Sequence, residues 1–274
     1  MASGAGAEHD GRPAAPPFAE RVDWLRLARS ENVGPITFAR LVGRYRTASA
    51  ALEALPDLAA RGGAAARIRV PDRADAEREL DALEALGGTL LTVRDHAYPS
   101  RLAAIDGAPP VLSVVGDPGI LARPAIGVVG SRNASIAGRR TAADLATGFG
   151  KAGFAVVSGL ARGIDGAAHE ATVATGTVAV LAGGLDRVYP PEHADLAARI
   201  AEAGGAVVSE MPLGWAPRAV DFPRRNRIVS GLSLAVVVVE AAARSGTIHT
   251  ARYALEQGRD VFAVPGSPRD PRAA

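Results

Sequence analysis

In the first third of the chain, apolar residues return every three or four positions: Val22, Leu25, Leu27, Ile36, Leu41, Leu52, Leu55, Leu58, Leu80 and Leu83. That period belongs to helices with one buried face and predicts short helices across residues 18–86. The triplet Val33-Gly34-Pro35 separates one helix from the next, and Pro35 suits a first helical turn, where its missing N–H costs nothing. Two readings of this region stand side by side: a helical hairpin of the kind that holds nucleic-acid backbones, or a small module that merely packs. Ahead of it, residues 1–17 are rich in Gly, Ala and Pro without any apolar period, which predicts a disordered tail.

The pattern then changes. Residues 87–123 read as a connector with a strand at 89–93, a turn at Tyr98-Pro99, a break at Pro109-Pro110 and a strand at 111–115. From Ala125 onward, short β-branched runs at 126–129, 154–157, 178–181, 206–208, 234–239 and 261–264 alternate with Ala-rich helical stretches. Strands without polar alternation are buried on both faces, and their alternation with helices predicts a doubly wound, mostly parallel α/β sheet. The expected organisation is thus a tail (1–17), a small helical N-terminal domain (18–86) and an extended Rossmann-like domain (87–274). Ligands of such sheets bind beyond the carboxyl ends of the strands, so those ends carry the functional reading.

Composition narrows the chemistry. The 274 residues are 48% hydrophobic, 22% charged and only 4% aromatic, as in ordinary globular proteins. Cysteine is absent, which removes thiol nucleophiles and disulfides and fits a reducing cytosol. The run at 234–239 is far too short to span a bilayer, and the N-terminus lacks the basic-then-apolar form of an export signal, so a cytoplasmic protein with no membrane partner is expected. No H-E-x-x-H pattern occurs and the five histidines are scattered, so no metal centre is expected. The net charge is only +2, but the pI is about 9.4 because nearly every cation is arginine; Lys151 is the only lysine. Mutational bias of a GC-rich genome explains that usage as well as phosphate binding does, so the position of the arginines matters more than their number.

Two strand ends are cationic. The first strand runs into Gly130-Ser131-Arg132-Asn133-Ala134-Ser135, followed by Arg139 and Arg140, with no acidic residue between. A glycine turn at a helix N-terminus offers amides and a partial positive charge to a phosphate. The spacing is neither the dinucleotide G-x-G-x-x-G nor a P-loop. Farther on, Arg218, Arg224, Arg225 and Arg227 are opposed within their own segment by Asp221 alone, and Phe222 adjoins them, an aromatic able to stack on unpaired bases. The competing reading pairs these arginines with carboxylates such as Glu210 and Glu240 and sends Phe222 to the core. Between the two lies Ser158-Gly159-Leu160-Ala161-Arg162-Gly163. Ser158, Asp165 and His169 invite comparison with a hydrolase triad. G-x-S-x-G needs glycine where Val156 and Leu160 stand, so Asp165 reads as a helix N-cap and His169 as a packed residue. Ser245-Gly246-Thr247, opening a late helix, is a further possible anion site.

Together, GVVGSRNASIAG from Gly127, SGLARGIDGAAH from Ser158, GGLDRVYP from Gly183, FPRRNRIVSGLS from Phe222, SGTIHTA from Ser245 and VPG from Val264 resemble, in order, the DNA processing protein A (DprA/Smf) family. The resemblance spans about residues 20–267. It implies a Rossmann-like domain that binds single-stranded DNA without a cofactor or catalysis, protects it and helps load RecA recombinase in natural transformation. It further implies a SAM- or helix-hairpin-helix-like N-terminal domain and a homodimer formed through the Rossmann-like domain. Carried over by position, it puts Gly130, Ser131 and Arg132 at a DNA phosphate, and makes Arg224, Arg225 and Arg227 candidates for backbone contacts. With the flanking Arg139, Arg140, Ser158, Gly159, Arg162, Phe222 and Asn226, these form the expected DNA-binding set; no catalytic residue is expected. Two departures stand out: His249 replaces an aliphatic residue of S-G-x-x-x-T-A, and the chain ends at Ala274, before the winged-helix domain many relatives carry. The alternative class is a nucleotide-binding enzyme of the phosphoribohydrolase type. Its P-G-G-x-G-T-x-x-E motif is not met, since Ser245-Gly246-Thr247 lacks both the Pro-Gly-Gly and the glutamate.

Overall fold

The structure, a computed structural model, describes residues 17–61, 68–241 and 245–266. The expected tail therefore lies, but for Pro17, outside the described residues. Four helices open the chain: α1 (Phe18–Arg29), α2 (Pro35–Tyr45), α3 (Ala48–Arg61) and α4 (Arg73–Ala85). Pro35 takes the first position of α2, with Gly34 as its N-cap, as the Val33-Gly34-Pro35 break requires. The strands β1 (Gly88–Thr92) and β2 (Val111–Gly116) follow, with the single-turn α5 (Ser100–Ala103) between them.

From there strands and helices alternate: β3 (Ala125–Gly130), α6 (Ile136–Lys151), β4 (Ala155–Ser158), α7 (Ile164–Glu170), β5 (Thr177–Val180), α8 (Ala194–Glu202) and β6 (Ala206–Ser209). The series closes with α9 (Asp221–Leu232), β7 (Ala235–Val239), α10 (Gly246–Glu256) and β8 (Asp260–Ala263). The strands form one eight-stranded sheet in the order β1-β2-β6-β5-β4-β3-β7-β8. β6, β5, β4, β3, β7 and β8 run parallel, while β2 is antiparallel to both β6 and β1. The segment read as a connector is thus the antiparallel margin of the main sheet. Order reverses at β3, which pairs with β4 on one side and β7 on the other, and a crevice opens at such a reversal.

Strands β4 to β7 are buried at every position, which is why they read as unbroken apolar runs. One apolar cluster extends from Val22, Leu25, Phe38 and Leu55 in the N-terminal helices to Leu90, Val111, Leu181 and Val207 at the sheet. Polar ties cross the same boundary. Arg29 pairs with Glu79 at 2.8 Å and donates to the Glu210 carbonyl oxygen at 2.8 Å, and Arg21 reaches the buried Asp95 at 3.3 Å. No described helix is long and apolar enough to cross a membrane.

Candidate nucleic-acid interface

The loops after β3, β4 and β7 enclose a cleft of about 670 Å³. Its wall begins where β3 ends at Gly130. A Cβ there would collide with the Val239 carbonyl oxygen, so only glycine lets β3 and β7 run this close. Ser131 N–H then donates to the Glu240 carbonyl oxygen at 2.8 Å, and the Gly130 carbonyl accepts from the Thr247 hydroxyl at 3.0 Å.

Ser135 caps α6, its hydroxyl oxygen accepting from Gly138 N–H at 2.9 Å. Glu240, just past β7 with φ of 54°, brings its carboxylate to the same place. It accepts from Ser135 N–H at 3.0 Å and from the Ser135 hydroxyl at 2.9 Å. The start of α6, expected from the sequence to serve phosphate, is occupied by an internal carboxylate instead. The partner comes from a neighbouring strand 105 residues away, which no local spacing reveals.

The second loop, after β4, lies against the first. Gly163 has φ of 78°, and a Cβ on it would strike the Ser131 carbonyl oxygen, while Ile164 N–H donates to that oxygen at 3.2 Å. Asp165 is not the N-cap of α7, which is Gly163. Its buried carboxylate accepts from Gly159 N–H at 3.1 Å and Ala161 N–H at 3.3 Å, holding the loop from below. Burial raises its pKa, against the pull of the Arg225 guanidinium.

Arg225 is 5% exposed. It donates to the Gly159 carbonyl at 2.5 Å and to the Val180 carbonyl, and its guanidinium packs where a Cβ of Gly159 would be. Burial lowers its pKa to about 10, opposed by Asp165 and reinforced by Arg132, so it stays cationic at neutral pH. Arg225 therefore supports the cleft floor, and its Nε is buried without a partner.

The rim is where cations and rings meet. The Arg132 guanidinium carbon lies 4.9 Å from the centre of the Phe222 ring, and Tyr189 meets the same ring edge-on at 5.7 Å. Arg132 is exposed, Phe222 half-buried and Tyr189 46% exposed. Arg162 stands beside them, bound to Glu192, whose carboxyl pKa drops to about 2 through that hydrogen bond. Asn226 donates to the Gly246 carbonyl at 3.1 Å and joins α9 to the first residue of α10 at the cleft edge.

Other expected contacts lie elsewhere. Ser158 is fully buried, and its hydroxyl donates to the Val128 carbonyl at 2.5 Å, so its side chain faces into the sheet rather than the cleft. Arg227 is buried and bound to Glu210 at 2.5 Å, and the half-exposed Arg224 reaches the same carboxylate at 3.1 Å. The reading that pairs these arginines with Glu210 thus holds for both. Arg139 and Arg140 are exposed on α6, away from the residues lining the cleft.

His169 is fully buried, as its reading as a packed residue requires; its Nδ1 lies 2.7 Å from the Thr177 hydroxyl oxygen. That hydroxyl donates to the Val156 carbonyl at 2.7 Å, so Nδ1 carries the imidazole proton. Burial depresses the His169 pKa to about 3, helped by His193 and Arg225. With Ser158 and His169 committed to these partners, the nucleophile–base contact of a hydrolase does not form. Among the described residues no His, Asp and Glu cluster could hold a metal ion. Sequence reasoning left Tyr189 out of the site, although a tyrosine in so aromatic-poor a chain was an available signal, and it named Glu210 and Glu240 only as alternative partners of the arginines.

Comparison with known proteins places this architecture. Residues 89–274 match the family described as DNA recombination-mediator protein A, and residues 18–82 match the DprA-like N-terminal HHH domain. Protein Smf of Escherichia coli is 47% identical over 196 residues, covering 71% of this chain and 52% of that protein. The putative DNA processing protein DprA of Mycobacterium tuberculosis is 41% identical over 273 residues, covering 93% of this chain and 65% of that one. The chain thus spans between half and two thirds of these relatives. The solved DNA processing protein A of Streptococcus pneumoniae superposes with a TM-score of 0.68 at 33% identity, over 87% of this chain and 78% of that one. The Helicobacter pylori protein, described for its single-stranded DNA binding mode, gives 0.62 at 26% identity over 67% and 83%.

Proposed function

Because the chain belongs to the DNA recombination-mediator protein A (DprA/Smf) family, we propose that it binds single-stranded DNA in the cleft between β3, β4 and β7. The observation that carries this reading is the rim: a guanidinium stacked on Phe222, with Tyr189 against the same ring, sets phosphate and base contacts side by side. Arg132 meets the phosphate by side chain, while Gly130, Ser131 and Gly159 shape the wall. Phe222 and Tyr189 stack on bases, and Arg162 and Asn226 flank the path. Arg225 keeps the Gly159 loop in place from beneath. In the cell the protein protects the strand and helps load RecA recombinase during natural transformation and recombination, as a binding protein without catalysis or cofactor. It works as a homodimer, for which the exposed Leu255, Phe262 and Ile248 on α10 and the β8 edge supply an apolar face.

The test is fluorescence anisotropy with labelled oligothymidylate and a matched duplex across a salt series, on wild type and Arg132→Ala. Preference for the single strand is expected, with log affinity falling against log salt at a slope of about −3 if about four phosphates are neutralised. Arg132→Ala weakens all sequences alike. Equal binding by mutant and wild type at low salt refutes the role of Arg132, and no binding of either DNA leaves a likeness of fold only.

A further inference from the structure

Most arginines of the described residues are held by carboxylates or carbonyl oxygens. Apart from Arg69, those exposed and without an ion-pair partner gather in two places. One is the cleft rim with α6, at Arg132, Arg139 and Arg140. The other is α2 and the turn after it, at Arg40, Arg44 and Arg46. Arg40 and Arg44, one helical turn apart, share a face of α2 with Ile36, which is 57% exposed.

A groove of about 600 Å³ runs between this face and the β1–β2 margin. Ile36 and Arg40 line one wall, Ile105 and Ala108 the other, and Trp24 the base. Arg94 closes its end: its guanidinium carbon lies 5.4 Å from the centre of the Trp24 ring, and it donates to the Arg46 carbonyl at 3.4 Å. Glu20 engages Arg94 at 3.6 Å and Asp106 sits in the wall; neither makes an ion pair with Arg40 or Arg44. Nor is this surface isolated. Pro35 borders both the groove and a small pocket lined by Arg224 and Glu210, and Arg224 is flanked by the cleft residues Pro223 and Arg225. Arg224 thus stands between the cleft residues beside it on α9 and the pocket that shares Pro35 with the groove.

The geometry points to a second contact for the same single strand on α2, where Arg40 and Arg44 hold phosphates of the chain leaving the cleft. This rests on the single-strand reading of the cleft and extends it to a site that uses helix side chains. Two amides of the hairpin between α1 and α2 are engaged internally, Glu31 N–H donating to the Arg69 carbonyl at 2.9 Å and Val33 N–H to the Ser30 carbonyl at 3.2 Å.

The test compares oligothymidylates of about six and about thirty nucleotides, the shorter sized to the cleft alone. The double variant Arg40→Ala with Arg44→Ala is expected to bind the short oligomer as wild type does. It should bind the long one about fivefold or more weakly, with a salt slope shallower by about 1.4, two contacts at about 0.7 each. Lys151→Ala, a surface cation at the other end of α6, should leave both unchanged. The proposal is overturned if the double variant binds the long oligomer normally, as it would were the face reserved for an acidic protein segment. Equal loss on both oligomers, or the same loss in Lys151→Ala, also overturns it. Of these variants Arg132→Ala alone is expected to weaken the short oligomer, so a failure of the cleft reading is seen separately.

Discussion

His169 shows how far a buried residue couples the molecule to pH. Its pKa is about 3 in the folded chain and near the ordinary 6.5 once unfolded. Between those values the unfolded state binds a proton the native state does not, so stability falls as pH drops from 6.5 toward 3. The contribution approaches about 1.4 kcal/mol per pH unit. His169→Asn removes this term, and urea unfolding of the variant from pH 6.5 to 4 is expected to show a pH dependence shallower by up to that amount; an unchanged slope contradicts the assignment. Residue types at the cleft were legible in the sequence: the glycines of the turns, Arg132, and Phe222 beside arginines. Their partners were legible only in part. The pairing of Arg227 and Arg224 with Glu210 was one of two open readings, which only the fold decides, and Ser135 meets Glu240 across 105 residues that no local spacing bridges.

At the scale of elements, all eight strands appear within about a residue of the spans the apolar runs predict, and in β4 to β7 burial on both faces leaves no polar position to blur the strand. What the runs cannot specify is their neighbours. The sheet order sets β7 beside β3, and this adjacency brings Glu240 to the head of α6 and Thr247 to Gly130. Nor does any local pattern announce that β2 pairs with β6 and carries β1 outside it, which is why that segment reads as a connector. The cap of α6 is a direct test of that adjacency. Ser135→Ala removes the acceptor for Gly138 N–H and one donor to Glu240, and is expected to cost about 1 kcal/mol by chemical denaturation. Amide exchange should quicken in the first turn of α6 and leave α9 as it was.

For the whole molecule, the apolar cluster shared by the helices and the sheet implies a single cooperative unfolding transition rather than two. Arg29, with its ion pair to Glu79 and its bond to the Glu210 carbonyl, fastens the two regions. Arg29→Ala is expected to cost about 1–2 kcal/mol, less than a fully buried pair because the groups keep some solvent. Calorimetry should show one lowered peak; two peaks would mean that helices and sheet melt independently. The carboxylate of Glu240 has a consequence at this scale as well. Dinucleotide folds leave the head of the helix after their first strand vacant for a pyrophosphate, whereas here a fixed negative charge fills it. ATP should therefore fail to displace bound oligothymidylate even in large excess, as a competition titration will show. On the single-strand reading of the cleft, that fixed charge makes binding of a strand indifferent to the free nucleotides around it.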